Sequence, residues 1–344
     1  RGRDHAASAA ESAADGDAFK ARFAERGAGR LAAHCAAVQS SAIVCQLFSC
    51  RSSPGGCVNH AQSMLMLQNA ADKQLAAVVG RPDFVVIVPD AGTPDIQVPP
   101  EVLAFLAAAG WIVVAVSWPM LPARKMNPRM HIQAYHYTFG KLHAWGLTQY
   151  TRVLYLDADS LLMTPDVEPL CAAGQPGCFA ELLAMPFPRG ALLGAPWDSQ
   201  KGWSKGGWRG RCEAIAGHGQ LIAKARVAFN VDHMRGDPNN RSKSYRQLMT
   251  GLIVLEPSAT VCAALLKALA TYSGVHVYSD GDFVTDVCAG QLGSAVGVDP
   301  LYGAYRGVPA GTPPHTRDAR PYGIQYGGTN PWDPAGLAYP DVQP

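Results

Sequence analysis

Residues 152–156, Arg-Val-Leu-Tyr-Leu, run directly into Asp157-Ala158-Asp159, and this stretch constrains the chain more than any other. A short, mostly apolar run of this kind predicts a buried strand. In an extended chain alternate residues point to one side, so Asp157 and Asp159 would face one ligand while Ala158 faces away. Two carboxylates in one place repel each other, and one takes up a proton unless a cation sits between them. Mn²⁺ or Mg²⁺ suits such an oxygen pair and also binds substrate phosphates. The alternative is a pair of loop carboxylates capping the next turn.

The rest of the pattern predicts an α/β fold. Strands are expected over 42–48, 84–88, 112–116 and 251–255. Helices are expected over 63–75, 100–109, 141–146 and 257–272, with Gly110 ending the second and Pro257-Ser258 opening the last. This β-α-β-α order argues for a Rossmann-like, mostly parallel sheet with helices on both faces. Ligands of such sheets lie outside the carboxyl ends of the strands, where Asp157 and Asp159 fall. Residues 1–36 read as a helical or weakly ordered leader, and about 185–245 as an irregular insertion rich in Gly, Trp, Lys and Arg. The main domain is expected over 37–335, with an irregular C-terminal segment from 300 and a short tail at 336–344.

Composition narrows the function. A net charge of +2 over 344 residues gives no case for nucleic acid as partner. No run of about 20 apolar residues is present, so no membrane span is expected. Nine cysteines without a repeated C-x-x-C argue against a structural zinc site. The pairs Cys50/Cys57 and Cys171/Cys178 fit small disulfide loops or buried thiols.

The run KLHAWGLTQYTRVLYLDADSLLM (141–163) resembles glycogenin and its relatives, the family 8 retaining glycosyltransferases. In that family K-L-x-x-W/F-x-L-T-x-Y leads into V-x-Y-L-D-A-D. SMLMLQNAADKQL (63–75), FVVIVPD and AAAGWIVVAV resemble its early helix and strands. TGLIVLEPS (250–258) is similar to its second core block, and YGGTNPWD (326–333) to its closing motif. The resemblance covers roughly residues 41–335.

The resemblance implies a GT-A fold that binds a UDP-sugar with Mn²⁺ (or Mg²⁺). On that basis Asp157 lies near ribose and metal, and Asp159 ligates the metal. Lys141 lies near the diphosphate or donor sugar, Gly251 is the small residue beside the donor, and Gly327 approaches the diphosphate. Asp282 corresponds to the acceptor-side aspartate of a D-Q motif, with Asp280 its weaker neighbour, and Trp332 packs the tail. The sequence also departs from the family. Ile324 stands where a metal-ligating histidine is usual, Asn330 for a lysine, Met249 for an asparagine and Phe283 for the glutamine of D-Q. His315 is a candidate substitute ligand. Arg152, Lys201, Lys205 and Arg306 are candidate cations for the diphosphate.

The expected activity is retaining transfer of glucose or galactose from a UDP-sugar. The alternative is a weakened or inactive descendant acting as a binding or structural subunit. The acceptor (glycan, protein or small polyol) stays open. So do assembly into a homodimer or larger complex and residence in a Golgi-type lumen or the cytoplasm.

Overall fold

The computed structural model of the chain describes residues 41–48, 56–75, 82–120, 133–162, 179–200, 210–213, 219–222, 245–272, 280–298, 304–305 and 323–325. Its centre is a seven-stranded sheet built from β1 (Ser41–Gln46), β2 (Asp83–Pro89), β3 (Ile112–Val116), β4 (Arg152–Leu156), β6 (Ala191–Ala195), β10 (Leu252–Leu255) and β11 (Ser294–Gly297). The strand order is β11-β6-β10-β4-β1-β2-β3. β1 pairs in parallel with both β2 and β4, and β11 runs parallel to β6. β10 runs against its neighbours β4 and β6, so it alone breaks the common direction.

Side-chain parity splits the core into two layers. Ile43, Cys45, Leu154 and Leu156 face helix α1 (Gly56–Leu75), α2 (Pro100–Ala108) and α3 (Phe179–Leu183). Ala42, Val44, Val153 and Tyr155 face a 3-10 helix at Gln133–Gly146, α4 (Ala259–Thr271) and α5 (Asp280–Phe283), which continues as a π-helix over Val284–Leu292. Each large apolar side chain removed from water contributes about 1.5–3 kcal/mol, so a sheet covered on both faces is the stable outcome for strands this apolar. The mostly parallel sheet with helices on both faces expected from the sequence is therefore present.

Several elements differ from expectation. α1 starts at Gly56, because Cys57 and Ala61 carry its buried stripe upstream of Met64. The short helix expected over 141–146 is the end of the longer 3-10 helix. The stretch expected to be irregular carries β6 of the main sheet and a three-stranded antiparallel sheet of β8 (Gly210–Glu213), β7 (Trp197–Gln200) and β9 (Tyr245–Leu248). The C-terminal segment supplies β13 (Gly323–Gln325), which joins β12 (Ala304–Tyr305) and β5 (Ser160–Leu162) in a further sheet. Cys57 is a buried thiol whose Sγ donates to the Phe48 carbonyl at 3.3 Å. Cys50, Cys171 and Cys178 lie outside the described residues, as do the leader and tail.

The topology puts a crevice at one place. From β1 the chain proceeds outward to β2 and β3, then returns to lay β4 on the other side of β1. The carboxyl ends of β1 and β4 therefore flank the point where strand order reverses, the usual ligand position in open α/β sheets. Among the described residues no helix is long and apolar enough to cross a membrane.

Candidate functional site

β4 is fully buried from Val153 to Leu156 and ends where the acids begin. The acids do not continue the strand, as the extended reading expected. Ser160 N–H donates to the Asp157 carbonyl at 2.9 Å, closing a turn over 157–160. Ala158 still packs on the core, the Asp157 side chain is 23% exposed, and Asp159 is half-buried. The Asp157 N–H is held by the Gly251 carbonyl at 2.9 Å. Gly251 thus abuts the acidic turn through its backbone, in the bend that leads from β9 into antiparallel β10.

Lys141 sits on the 3-10 helix and is 1% exposed. Its helix is seated by neighbours on the sheet edge. Gln46 at the end of β1 donates to the Thr138 carbonyl at 3.2 Å, and Trp118 donates its indole N–H to the Tyr137 carbonyl at 2.9 Å. Gly140 lies so close to Trp118 that a Cβ there would overlap the indole. Beyond Lys141, Trp145 donates to Leu192 O at 3.2 Å and accepts at its own carbonyl from Ser258 N–H at 2.7 Å.

This seating delivers the Lys141 ammonium into a polar nest. Nζ lies 3.0 Å from Asp157 Oδ1, 2.7 Å from Asp280 Oδ2 and 3.1 Å from the Thr250 carbonyl. It also stands 4.9 Å from the Tyr155 ring centroid. The Tyr155 hydroxyl donates to the same Asp157 Oδ1 at 2.8 Å, and the Thr250 hydroxyl donates to Asp280 Oδ2. Burial by itself would push the Lys141 ammonium down, but Asp157 and Asp280 outweigh it and hold the group above its ordinary value. Burial, reinforced by Asp157, pushes the Tyr155 phenol up, so it stays a donor. Burial and then the charges of Asp157 and Asp159 push the Cys45 thiol up as well, leaving it inert.

Asp159 is pushed up to about 7, first by burial and then by the neighbouring Asp157 charge; its own backbone N–H and Lys141 oppose the shift. A carboxyl in that position takes a proton when no cation is near. Two neighbouring carboxylates, binding through oxygen, suit a hard divalent ion. Among the described residues no cluster of three or more His, Cys, Asp or Glu forms a closed metal cage. Beyond the described residues' two carboxylates, a cation held by Asp157 and Asp159 would leave positions that water or phosphate oxygens of a bound molecule can fill, as in Mg²⁺-type sites.

The structure brings Lys141, Asp157, Asp159 and Gly251 to one place. Of the 280–282 pair, expected on the acceptor side, Asp280 forms an ion pair with Lys141. Asp282 lies on the same turn of α5 and is 1% exposed. Successive helical positions two apart point to nearly opposite sides, so only one of the pair can face Lys141. Met249 is buried and its N–H donates to the Pro196 carbonyl at 2.9 Å. Phe283 packs edge-on against Phe139 and Tyr272, at 5.8 and 5.3 Å between centroids. Ile324 pairs with Leu161 in the β13–β5 ladder, and Gln325 with Ser160, directly after the acidic turn. Arg152 does not serve the site. It lies at the opposite, amino end of β4, where it pairs with Glu256 at 3.0 Å and stacks over Phe187 at 4.3 Å. Gly327, Asn330, Trp332, His315, Lys201, Lys205 and Arg306 lie outside the described residues. Sequence reasoning missed Tyr155 and Thr250. The one available signal was the parity of Tyr155 with Asp157, two residues on.

Fold and site together define an α/β protein with two neighbouring carboxylates, Asp157 and Asp159, at the switch point of a mostly parallel sheet. No protein-family model and no curated protein sequence matches the chain. Among solved structures it is similar to the galactosyltransferase LgtC, solved in complex with donor and acceptor sugar analogs, at 13% identity and TM-score 0.48. That alignment covers 88% of this chain and 92% of LgtC. It is similar to the bifunctional glycosyltransferase WbbM at 14% identity and TM-score 0.48, over 86% of this chain and 47% of WbbM. It is also similar to mouse xyloside xylosyltransferase 1 at 10% identity and TM-score 0.42, over 85% of this chain and all of that one, 100%. At such identity the likeness concerns the course of the chain and not the chemistry.

Proposed function

We propose that the chain is a GT-A glycosyltransferase that moves glucose or galactose from a UDP-sugar to an acceptor hydroxyl with retention, using Mn²⁺ or Mg²⁺. The single observation that supports this most is the Asp157–Asp159 turn at the carboxyl end of β4, beside the switch point, with Asp159 poised to exchange a proton for a cation. The flanking family 8 resemblance supports the choice of donor.

In this reading Asp157 and Asp159 hold the ion, and Gly251 leaves room for the donor next to them. The ion, when bound, supplies Lewis-acid stabilisation of charge growing on the leaving diphosphate. The bond from the sugar's anomeric carbon to the diphosphate oxygen breaks, and a bond to the acceptor oxygen forms on the same face. The acceptor proton passes to the departing diphosphate. Asp282, on α5, is assigned to the acceptor side.

The test is thermal. UDP with Mn²⁺ should raise the melting temperature above the value with either alone, since a ligand of the folded state stabilises it. UDP should also be released from UDP-glucose or UDP-galactose. Neither a shift nor release would sink the reading.

A second reading is a non-catalytic binding subunit on the same fold. It is favoured by the complete engagement of Lys141 by protein acceptors, and by Ile324 at a position where a ligating side chain was expected. It predicts UDP and Mn²⁺ binding without UDP-sugar turnover.

A further inference from the structure

We propose that Lys141 is a positioning residue for the clamp, an internal strut that fixes one oxygen of Asp157 and takes its second anchor from Asp280. The inference rests on the function proposed above and gives Lys141 a different task from contacting the diphosphate.

The donor count carries the argument. An ammonium has three N–H donors and no acceptor. Three acceptors lie within 3.1 Å of Nζ: Asp157 Oδ1, Asp280 Oδ2 and the Thr250 carbonyl. A phosphate could engage this group only by displacing one of them in a site sealed from water. The contacts also close a ring through four separate segments. Lys141 on the 3-10 helix joins Asp157 after β4, and Asp157 N–H joins the Gly251 carbonyl. The adjacent Thr250 joins Asp280 on α5 through its hydroxyl, and Asp280 returns to Lys141. With Lys141 and the Tyr155 hydroxyl both on Oδ1, the Asp157 carboxylate is held in one orientation. A preset ligand orientation is what a two-carboxylate clamp needs, because each of its few ligands must already point at the ion.

Charge and positioning predict opposite results. If Lys141 were merely a nearby positive charge, removing it would tighten cation binding. If it positions Asp157, removing it weakens cation binding. The experiment titrates Mn²⁺ alone against the full chain, reading free Mn²⁺ by electron paramagnetic resonance. The variants are Lys141→Met and the charge-neutral pair Lys141→Met/Asp280→Asn. The pair leaves no uncompensated carboxylate where the ammonium was, so it carries the test if the single variant does not fold. Both are expected to bind Mn²⁺ about tenfold or more weakly, the scale of one charge-assisted hydrogen bond. Tighter binding by Lys141→Met, or wild-type affinity in the double variant, would overturn the inference while leaving the proposed function standing. Absence of Mn²⁺ binding by the wild type, both alone and with UDP present, would overturn both.

Discussion

The Lys141 ammonium lies 2.7 Å from Asp280 Oδ2, joining the 3-10 helix to α5 at the centre of the candidate site. Neither residue reaches solvent to any useful degree. The pair therefore acts inside the protein, and the Asp157–Asp159 turn is the part of the site turned outward.

Asp159→Asn should abolish the Mn²⁺-dependent rise in melting temperature and the release of UDP. It should also stabilise the metal-free protein at high pH. The folded Asp159 is raised from 3.8 to about 7, first by burial and then by Asp157. An acid so raised contributes its stability in full below 3.8 and loses it as pH rises through about 7. Melting curves without metal should therefore place Asp159→Asn above the wild type at pH 8, with the gap closing toward pH 4. A wild type that melts higher at pH 8 would contradict this.

Tyr155→Phe removes one donor to Asp157 Oδ1 without changing charge. The ring stays buried, so the cost in folding stability is expected at about 1–3 kcal/mol by chemical denaturation. Mn²⁺ affinity should fall as well, because Asp157 Oδ1 loses one of the donors that fix it. Unchanged affinity would show that the hydroxyl serves packing alone.

Gly140→Ala should destabilise the fold by about 1–3 kcal/mol in urea, the usual range for forcing an extra methyl into a filled core. The new Cβ would overlap the Trp118 indole. That ring is buried and tied to the Tyr137 carbonyl, so it has little room to yield. Lys141 is the next residue, and the same substitution should weaken Mn²⁺ binding more than Ala substitutions elsewhere on the sheet.

Acid should destabilise the protein through His60 and His143. Burial lowers both imidazoles below 6.5; Asp157 opposes this at His60, and the Ser117 carbonyl and Asp90 at His143. A lowered folded value means that the unfolded chain takes the proton first. Their contribution is complete above 6.5 and is lost as pH falls through the folded values. The melting temperature should drop between pH 7 and pH 5, and His143→Gln should flatten that drop.

Much of this arrangement was legible in the sequence. β3 and β4 fall on the residues expected, Ile112–Val116 and Arg152–Leu156, because a short apolar run bounded by turn formers has few alternatives. α4 begins where Ser258 predicts, with its side chain accepting from Val261 N–H. The strands within 185–245 were hidden because they are short and carry little alternation. Trp197–Gln200 becomes a strand through its partners on either side, Gly210–Glu213 and Tyr245–Leu248. The direction of β10 was equally invisible, since a run such as Leu-Ile-Val-Leu reads the same for either pairing.

The sequence by itself determined the strand-to-acid junction at Leu156–Asp157 and the alternation of layers. These depend on neighbours in the chain, where side-chain parity and apolar runs act directly. The tertiary structure decided that the acids close a turn, that Asp280 pairs with Lys141, and that the Lys141 ammonium is engaged by the protein's own oxygens. Those outcomes depend on groups far apart in sequence, such as Lys141 and Thr250 at a separation of 109 residues. Packing, and the need of every buried charge for a partner, chose among them.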